Sequence, residues 1–163
     1  MKKIVPIVLV LVVLGGALFA QAAKEVATAD FHIGIVTGTV SQSEDDLRGA
    51  EEMIARYGSV SSGGKIQHVT YPDNFMEEAE TTISVISGLA DDPLMKAIIV
   101  NQSVPGTTEA FRKVKERRPD VLCIAGEAHE DPGVIQSAAD LVINNDFVAR
   151  GYLIIKTARD LGV

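Results

Sequence analysis

Glu127-Ala128-His129-Glu130-Asp131 places one histidine and three carboxylates within five residues. Such a group could hold a metal or move a proton, because imidazole titrates near neutral pH and carboxylates sit beside it. The spacing matches no defined ligand pattern. The other histidines, His32 and His68, fall in strand-like runs. His129 therefore reads first as a polar loop contact, and neither a metal nor a cofactor is expected. Gly34 and Gly38 do not make G-x-G-x-x-G, and the chain has no G-K-[ST] phosphate loop and no G-x-S-x-G elbow. Cys123 is the one cysteine, so no intrachain disulfide is possible. It lies in the apolar run VLCIA and reads as an inert core residue rather than a nucleophile. A binding protein is expected, not an enzyme.

The remaining polar chemistry is spread over short stretches that each follow an apolar run. They are Thr37-Gly38-Thr39-Val40-Ser41, Tyr71-Pro72-Asp73-Asn74, Asn101-Gln102-Ser103-Val104, Gly126-Glu127-Ala128-His129-Glu130 and Asn144-Asn145-Asp146. Hydroxyls, amides and carboxylates of this kind bind a small polar solute through converging hydrogen bonds. Taken singly, each of these residues could simply cap a helix or close a turn. Taken together, they point to a cleft only if the fold brings all five to one edge.

The patterns between them predict that fold. Phe31 to Gly58 reads as strand (His32 to Val36), loop and helix, the helix with Leu47, Ala50, Ile54 and Tyr57 on one face. Ser41 stands three residues before Glu44, a capping-box spacing, and Gly58 suits a left-handed cap. A second, more polar strand spans Lys65 to Tyr71 and fits a sheet edge. A helix over about Phe75 to Ala90 follows, with Met76, Ala79, Ile83 and Ile86 inward and Asp73 or Asn74 as cap. Ala97 to Val100, Val121 to Ala125 and Asp140 to Ile143 read as three more strands. Helices follow them at about Thr107 to Arg118, after Pro132, and at about Asp146 to Leu161. The last is expected to bury Phe147, Gly151, Ile154, Ala158 and Leu161. Unbroken Val/Ile/Leu strands alternating with helices predict an α/β doubly wound parallel sheet of five strands, order 2-1-3-4-5. In such sheets ligands meet the loops at the strand carboxyl ends. Thr37, Gly38, Thr39, Gln102, Ser103, Glu127, His129, Asn145 and Asp146 are therefore the candidate ligand-binding residues.

The N-terminus has a different character. Lys2 and Lys3 precede an almost wholly apolar run, Ile4 to Phe19, and Ala20-Gln21-Ala22 is an A-x-A cleavage signal. Residues 1–22 read as a secretory signal peptide, 23–30 as a linker and 31–163 as the α/β lobe. The expected location is the periplasm or the exterior. The formal net charge of -7 argues against nucleic acid and against an anionic membrane surface.

HIGIVTGTVSQSEDDLRGAEE, HVTYPDNFMEEAETTISVISGLADDP, KAIIVNQSVPGTTEAFRKVKERRPDVLCIAGEAHEDP and ADLVINNDFVARGY, together with the signal peptide, resemble a bacterial family known as a domain of unknown function. That family is similar to the type I periplasmic binding proteins, the solute-binding superfamily that also supplies the sensor domain of LacI-type repressors. The resemblance implies two α/β lobes closing on a solute, with a membrane permease as partner where the role is transport. It also implies that this chain, ending at Val163, is a fragment holding the N-terminal lobe, its second lobe missing. Apolar surface left open in this way is expected to cause self-association. Two other functions compete: an exported enzyme using Glu127 and His129, and a LacI-like regulator sensor domain. The chain has no Trp, so a sugar-stacking platform would have to come from Tyr71, Phe75 or the missing lobe.

Overall fold

The computed structural model describes residues 29–162; the signal-peptide reading and most of the linker lie outside them. The strands are β1 (His32–Thr37), β2 (Ile66–Thr70), β3 (Met95–Val100), β4 (Leu122–Gly126) and β5 (Leu141–Ile143). The helices are α1 (Val40–Tyr57), α2 (Ala79–Gly88), α3 (Thr107–Arg117), α4 (Pro132–Ile135) and α5 (Phe147–Leu161). The strands form one sheet in the order β2-β1-β3-β4-β5, and every pairing is parallel. This is the expected doubly wound architecture, with β2 at an edge.

Alternation along the strands divides the core in two. Val36, Ile98, Val100, Cys123 and Ala125 face one side, where Ile83 and Ile86 of α2 and Ala110, Phe111 and Val114 of α3 cover them. Ile35 and Ile66 face the other side, against Ala50 of α1 with Ile33 and Ile54 at the margin. Helix α1 covers only the β1–β2 half of that second face. Leu122, Leu141 and Ile143, with side chains on the same face by alternation, remain exposed.

Several local expectations are corrected. The Ser41–Glu44 capping box does not form. Helix α1 begins at Val40 with Thr39 as N-cap, and Ser43 breaks its first turn with φ −157° and ψ 88°. The Ser41 hydroxyl is spent on another loop instead. Helix α2 starts at Ala79, not Phe75, because the Glu77 and Glu78 N–H groups both turn back to the Asn74 carbonyl. Met76 is consequently exposed rather than inward. The largest correction concerns α5. Its apolar stripe is present, but no side chain of the helix is buried, and Phe147, Ile154 and Leu161 are open to solvent. An amphipathic pattern specifies a face to bury; it does not supply the surface that covers it.

Candidate functional site

The chain runs from β1 out to β2 and then back across to β3, so the strand order reverses between β1 and β3. A crevice opens at such a switch point, outside the carboxyl ends of the strands. The loops after all five strands reach this edge, and hydrogen bonds stitch neighbouring loops together.

At the β2–β1 end, Asp73 is the centre. Its Oδ1 accepts from the Thr39 hydroxyl and, at 2.7 Å, from the Ser41 hydroxyl. The Gln42 amide donates to the Asp73 carbonyl at 2.8 Å. The Thr39 and then the Ser41 hydroxyl hold the Asp73 carboxyl below its ordinary pKa. Beneath this clasp the Tyr71 hydroxyl donates to Gln102 Oε1 at 3.0 Å. Burial, with Asp46 nearby, pushes that phenol up to about 12, so it stays a donor. Gly38 is what lets the loop lie over the ring. A Cβ there would fall 2.8 Å from the Tyr71 hydroxyl oxygen and from Gln42 Cβ.

Thr37 is fully buried. Its hydroxyl donates to the Gly38 carbonyl at 2.8 Å and lies 2.9 Å from His68 Nε2. With the Thr37 proton committed, the Nε2 proton belongs to His68. Burial lowers the His68 pKa against an opposing pull from Glu51, which favours the neutral ring. Thr37 therefore sits under the edge rather than on its surface.

In the middle of the edge, Ser103 ties β3 to β4. Its N–H donates to the Gly126 carbonyl at 2.9 Å, and its carbonyl accepts from the His129 N–H at 3.0 Å. Its hydroxyl is buried and has no partner among the described residues. Gln102, half-buried, is held from the Tyr71 side.

At the β4–β5 end, Glu127 takes an unusual backbone, φ 34°, which side chains other than glycine adopt at a cost. Its carboxylate accepts from the Asn145 amide, and the Asn144 side chain accepts from the Ala128 N–H at 3.0 Å. Asp146 caps α5 by accepting from the Ala149 N–H at 2.9 Å. His129 is exposed and makes its bond through the backbone alone. Glu130 turns away to start α3, accepting from the Gly106 and Thr108 N–H groups at 2.9 Å each and from the Thr108 hydroxyl. So Glu127, His129 and Glu130, neighbours in the chain, serve three separate purposes. Among the described residues no group of three or more His, Cys, Asp or Glu is placed to hold a metal ion. Cys123 is buried, and burial pushes its thiol up to about 11, which leaves it protonated and unreactive at neutral pH.

Sequence reasoning named Thr37, Gly38, Thr39, Gln102, Ser103, Glu127, His129, Asn145 and Asp146; all lie at or after the strand ends on this edge, but Thr37 and Ser103 are buried beneath it. The same reasoning missed the central place of Asp73, read as the cap of a helix that in fact begins six residues later. The available signal was the Asp-Asn-Phe turn after the second strand, which lies level with the Thr39 loop once β1 and β2 pair in register.

A crystal structure described as "a Putative transcriptional regulator from Clostridium difficile 630" is similar, with a TM-score of 0.67 and 27% identity. The match covers 82% of this chain and 39% of that one. An uncharacterised protein of Treponema pallidum (strain Nichols) is 42% identical over 138 residues, which is 83% of this chain and 62% of the relative. A second protein of that organism is 43% identical over 74 residues, 45% of this chain and 34% of the relative. The chain thus spans less than two thirds of the length of each of these proteins. The family model described as "Protein of unknown function (DUF3798)" matches residues 31–163, and the chain belongs to that family.

Proposed function

We propose that this lobe is one half of an exported solute-binding protein, the ligand-binding component of a transporter or a sensor. It holds a small polar molecule at the carboxyl edge of the sheet, between itself and a second lobe. The observation that carries the reading is the edge itself, where the loops after five parallel strands meet at a switch point and are pre-ordered by side-chain bonds between loops. Such pre-ordering reduces the entropy lost when a ligand docks. The greater length of the relatives leaves room for a second lobe. The signal-like N-terminus favours export and, in a transporter, a membrane permease as partner. The exposed stripe on α5 would join the second lobe or, in the isolated chain, a second copy.

A second reading is the sensor domain of a LacI-like regulator, favoured by the description of the Clostridium difficile protein. The enzyme reading, which would use Glu127 and His129, is weaker, because Glu127 is occupied by Asn145 and the exposed His129 is tied only through its backbone N–H to Ser103. Thermal-shift screening against small polar solutes tests the proposal. For a solute so found, Glu127→Gln should lower affinity about 10- to 150-fold, the loss expected for a hydrogen bond to a charged group, and Thr39→Ala should lower it too by freeing the Asp73 loop. Glu52→Ala on the outer face of α1 should change nothing. Unaltered affinity in both edge variants would remove the site from this edge. Cleavage after Ala22, read by intact mass of the exported protein, separates export from the regulator reading.

A further inference from the structure

Two apolar surfaces of this chain meet nothing within it. The first is half of a sheet face. Pairing sets Ile99, Ile124 and Leu141 side by side across β3, β4 and β5, with Leu122 and Ile143 on the same face by alternation. The same row begins at Ile35 of β1, which packs against α1, so the patch continues an interface the fold already uses. No described helix covers the rest of it, and Leu122, Leu141 and Ile143 are each at least half exposed. The second surface is the stripe of α5. Phe147, Ile154 and Leu161 are equally open there, with the small Gly151 and Ala158 between them. An apolar sheet face and an apolar helix stripe are the two sides of one layered packing.

Charge favours the same match. Helix α5 carries Arg150, Lys156 and Arg159 against Asp160, a net +2, whereas residues 30–146 carry nine basic and twenty acidic side chains, a net −11. A cationic helix is drawn to an acidic lobe. It is also held away from the patch of its own lobe. Only Asn144, Asn145 and Asp146 separate α5 from β5. Asn144 accepts from the Ala128 N–H, Asn145 donates to Glu127, and Asp146 caps the helix. Folding α5 back over β5 would break the first two bonds, so the patch open to it is that of another molecule.

We propose that the bare β3–β5 face takes α5 of a second copy of this chain, and that the exchange is reciprocal about a two-fold axis. Each copy gives its stripe and receives the other's, so one contact covers both open surfaces. Association rises with concentration. Below its Kd the stripe stays open, and substitutions on α5 leave the stability of the lobe unchanged. The exchange does not depend on the solute-binding reading, because the patch lies on the flank of the sheet and not at its carboxyl edge.

The test is sedimentation equilibrium over a range of concentrations, on the full chain and on its cleaved form, residues 23–163. Both should show a monomer–dimer equilibrium. Ile154→Asp on the stripe and Leu141→Asp on the patch should each raise the Kd at least about 10-fold, since each sets a charge against apolar surface. Met76→Asp, at an exposed apolar residue outside both surfaces, should not. An equimolar mixture of the Ile154→Asp and Leu141→Asp proteins should associate more tightly than either alone, because one intact stripe then meets one intact patch. Leu122→Asp reads the patch from the neighbouring strand if Leu141→Asp does not fold. Four results would each overturn the exchange: a monomer at every concentration, a dimer lost on removal of residues 1–22, a dimer that the patch variants spare, or a mixture no tighter than its components. None of them bears on the solute-binding reading, which the thermal-shift screen tests separately.

Discussion

Helices α3 and α5 carry comparable apolar stripes and meet opposite fates. Phe111 of α3 is 0% exposed, and Phe147 of α5 is 55% exposed. Helix α3 lies over β3 and β4, against α2, and contributes Ala110, Phe111 and Val114 to the main core. Helix α5 follows the edge strand β5 and buries nothing. Their ends differ too. The start of α3 is held by a carboxylate from another loop, Glu130. That of α5 is capped by its own Asp146. The charges repeat the contrast. Lys115 of α3 reaches Asp140 at the start of β5, whereas Lys156 of α5 pairs with Asp160 on the same helix. The lesson is that amphipathicity states what a helix needs, and that its contribution to stability depends on what the rest of the chain places opposite it.

The sharpest way to break this comparison is to truncate both rings. Phe111→Ala should cost about 3–5 kcal/mol, a large fraction of a small domain's stability. Phe147→Ala should stay within about 0.5 kcal/mol, as substitutions away from packed features do. Urea denaturation of the two variants measures the gap, and similar losses would mean that α5 is packed in solution.

A smaller effect comes from the glycines of the two helices. Gly106 opens α3 at φ 98°, and a Cβ there would lie 2.8 Å from the Ala79 carbonyl oxygen, a backbone atom that cannot yield cheaply. Gly106→Ala should destabilise by about 1–3 kcal/mol. Gly151, inside α5, has nothing within 4 Å of its would-be Cβ. Gly151→Ala should strengthen that helix by about 0.5–1 kcal/mol, seen as increased helical circular dichroism.

The smallest expected effect is electrostatic. Burial works against the Asp140 carboxylate, but the Cys123 N–H and the Lys115 ammonium outweigh it and lower its pKa. A lowered folded-state pKa gives stability that is present above the unfolded carboxylate value and is lost as pH falls through the folded one. Asp140→Asn should therefore flatten the acid limb of a stability–pH curve. Asp160→Asn, whose partners Lys156 and Arg159 are exposed and on its own helix, should alter that limb less. The reverse order would show α5 to be the better anchored of the two.

Much of the fold was legible in advance because it depends on local pattern and general chirality. The apolar runs at β1, β3 and β4, the glycine after α1 and the alternation of strand with helix suffice for a parallel sheet. Right-handed crossovers then restrict its order. That the polar stretches share one edge follows from the same rule, so Thr39, Gln102 and Glu127 could be assigned to it without coordinates. The tertiary structure decided what each polar group does there. Ser41 could cap its own helix or bond Asp73, and only the pairing of β1 with β2 brings Asp73 within reach. Glu130 could face a ligand or start α3, and the packing of the β4–α4 loop against Gly106 and Thr108 settles it. The stripe of α5 could face the sheet or solvent, and its position after the edge strand leaves it in solvent. Short-range spacing carries a residue's preference, whereas a hydrogen bond between loops depends on distances set by strands far apart in the chain.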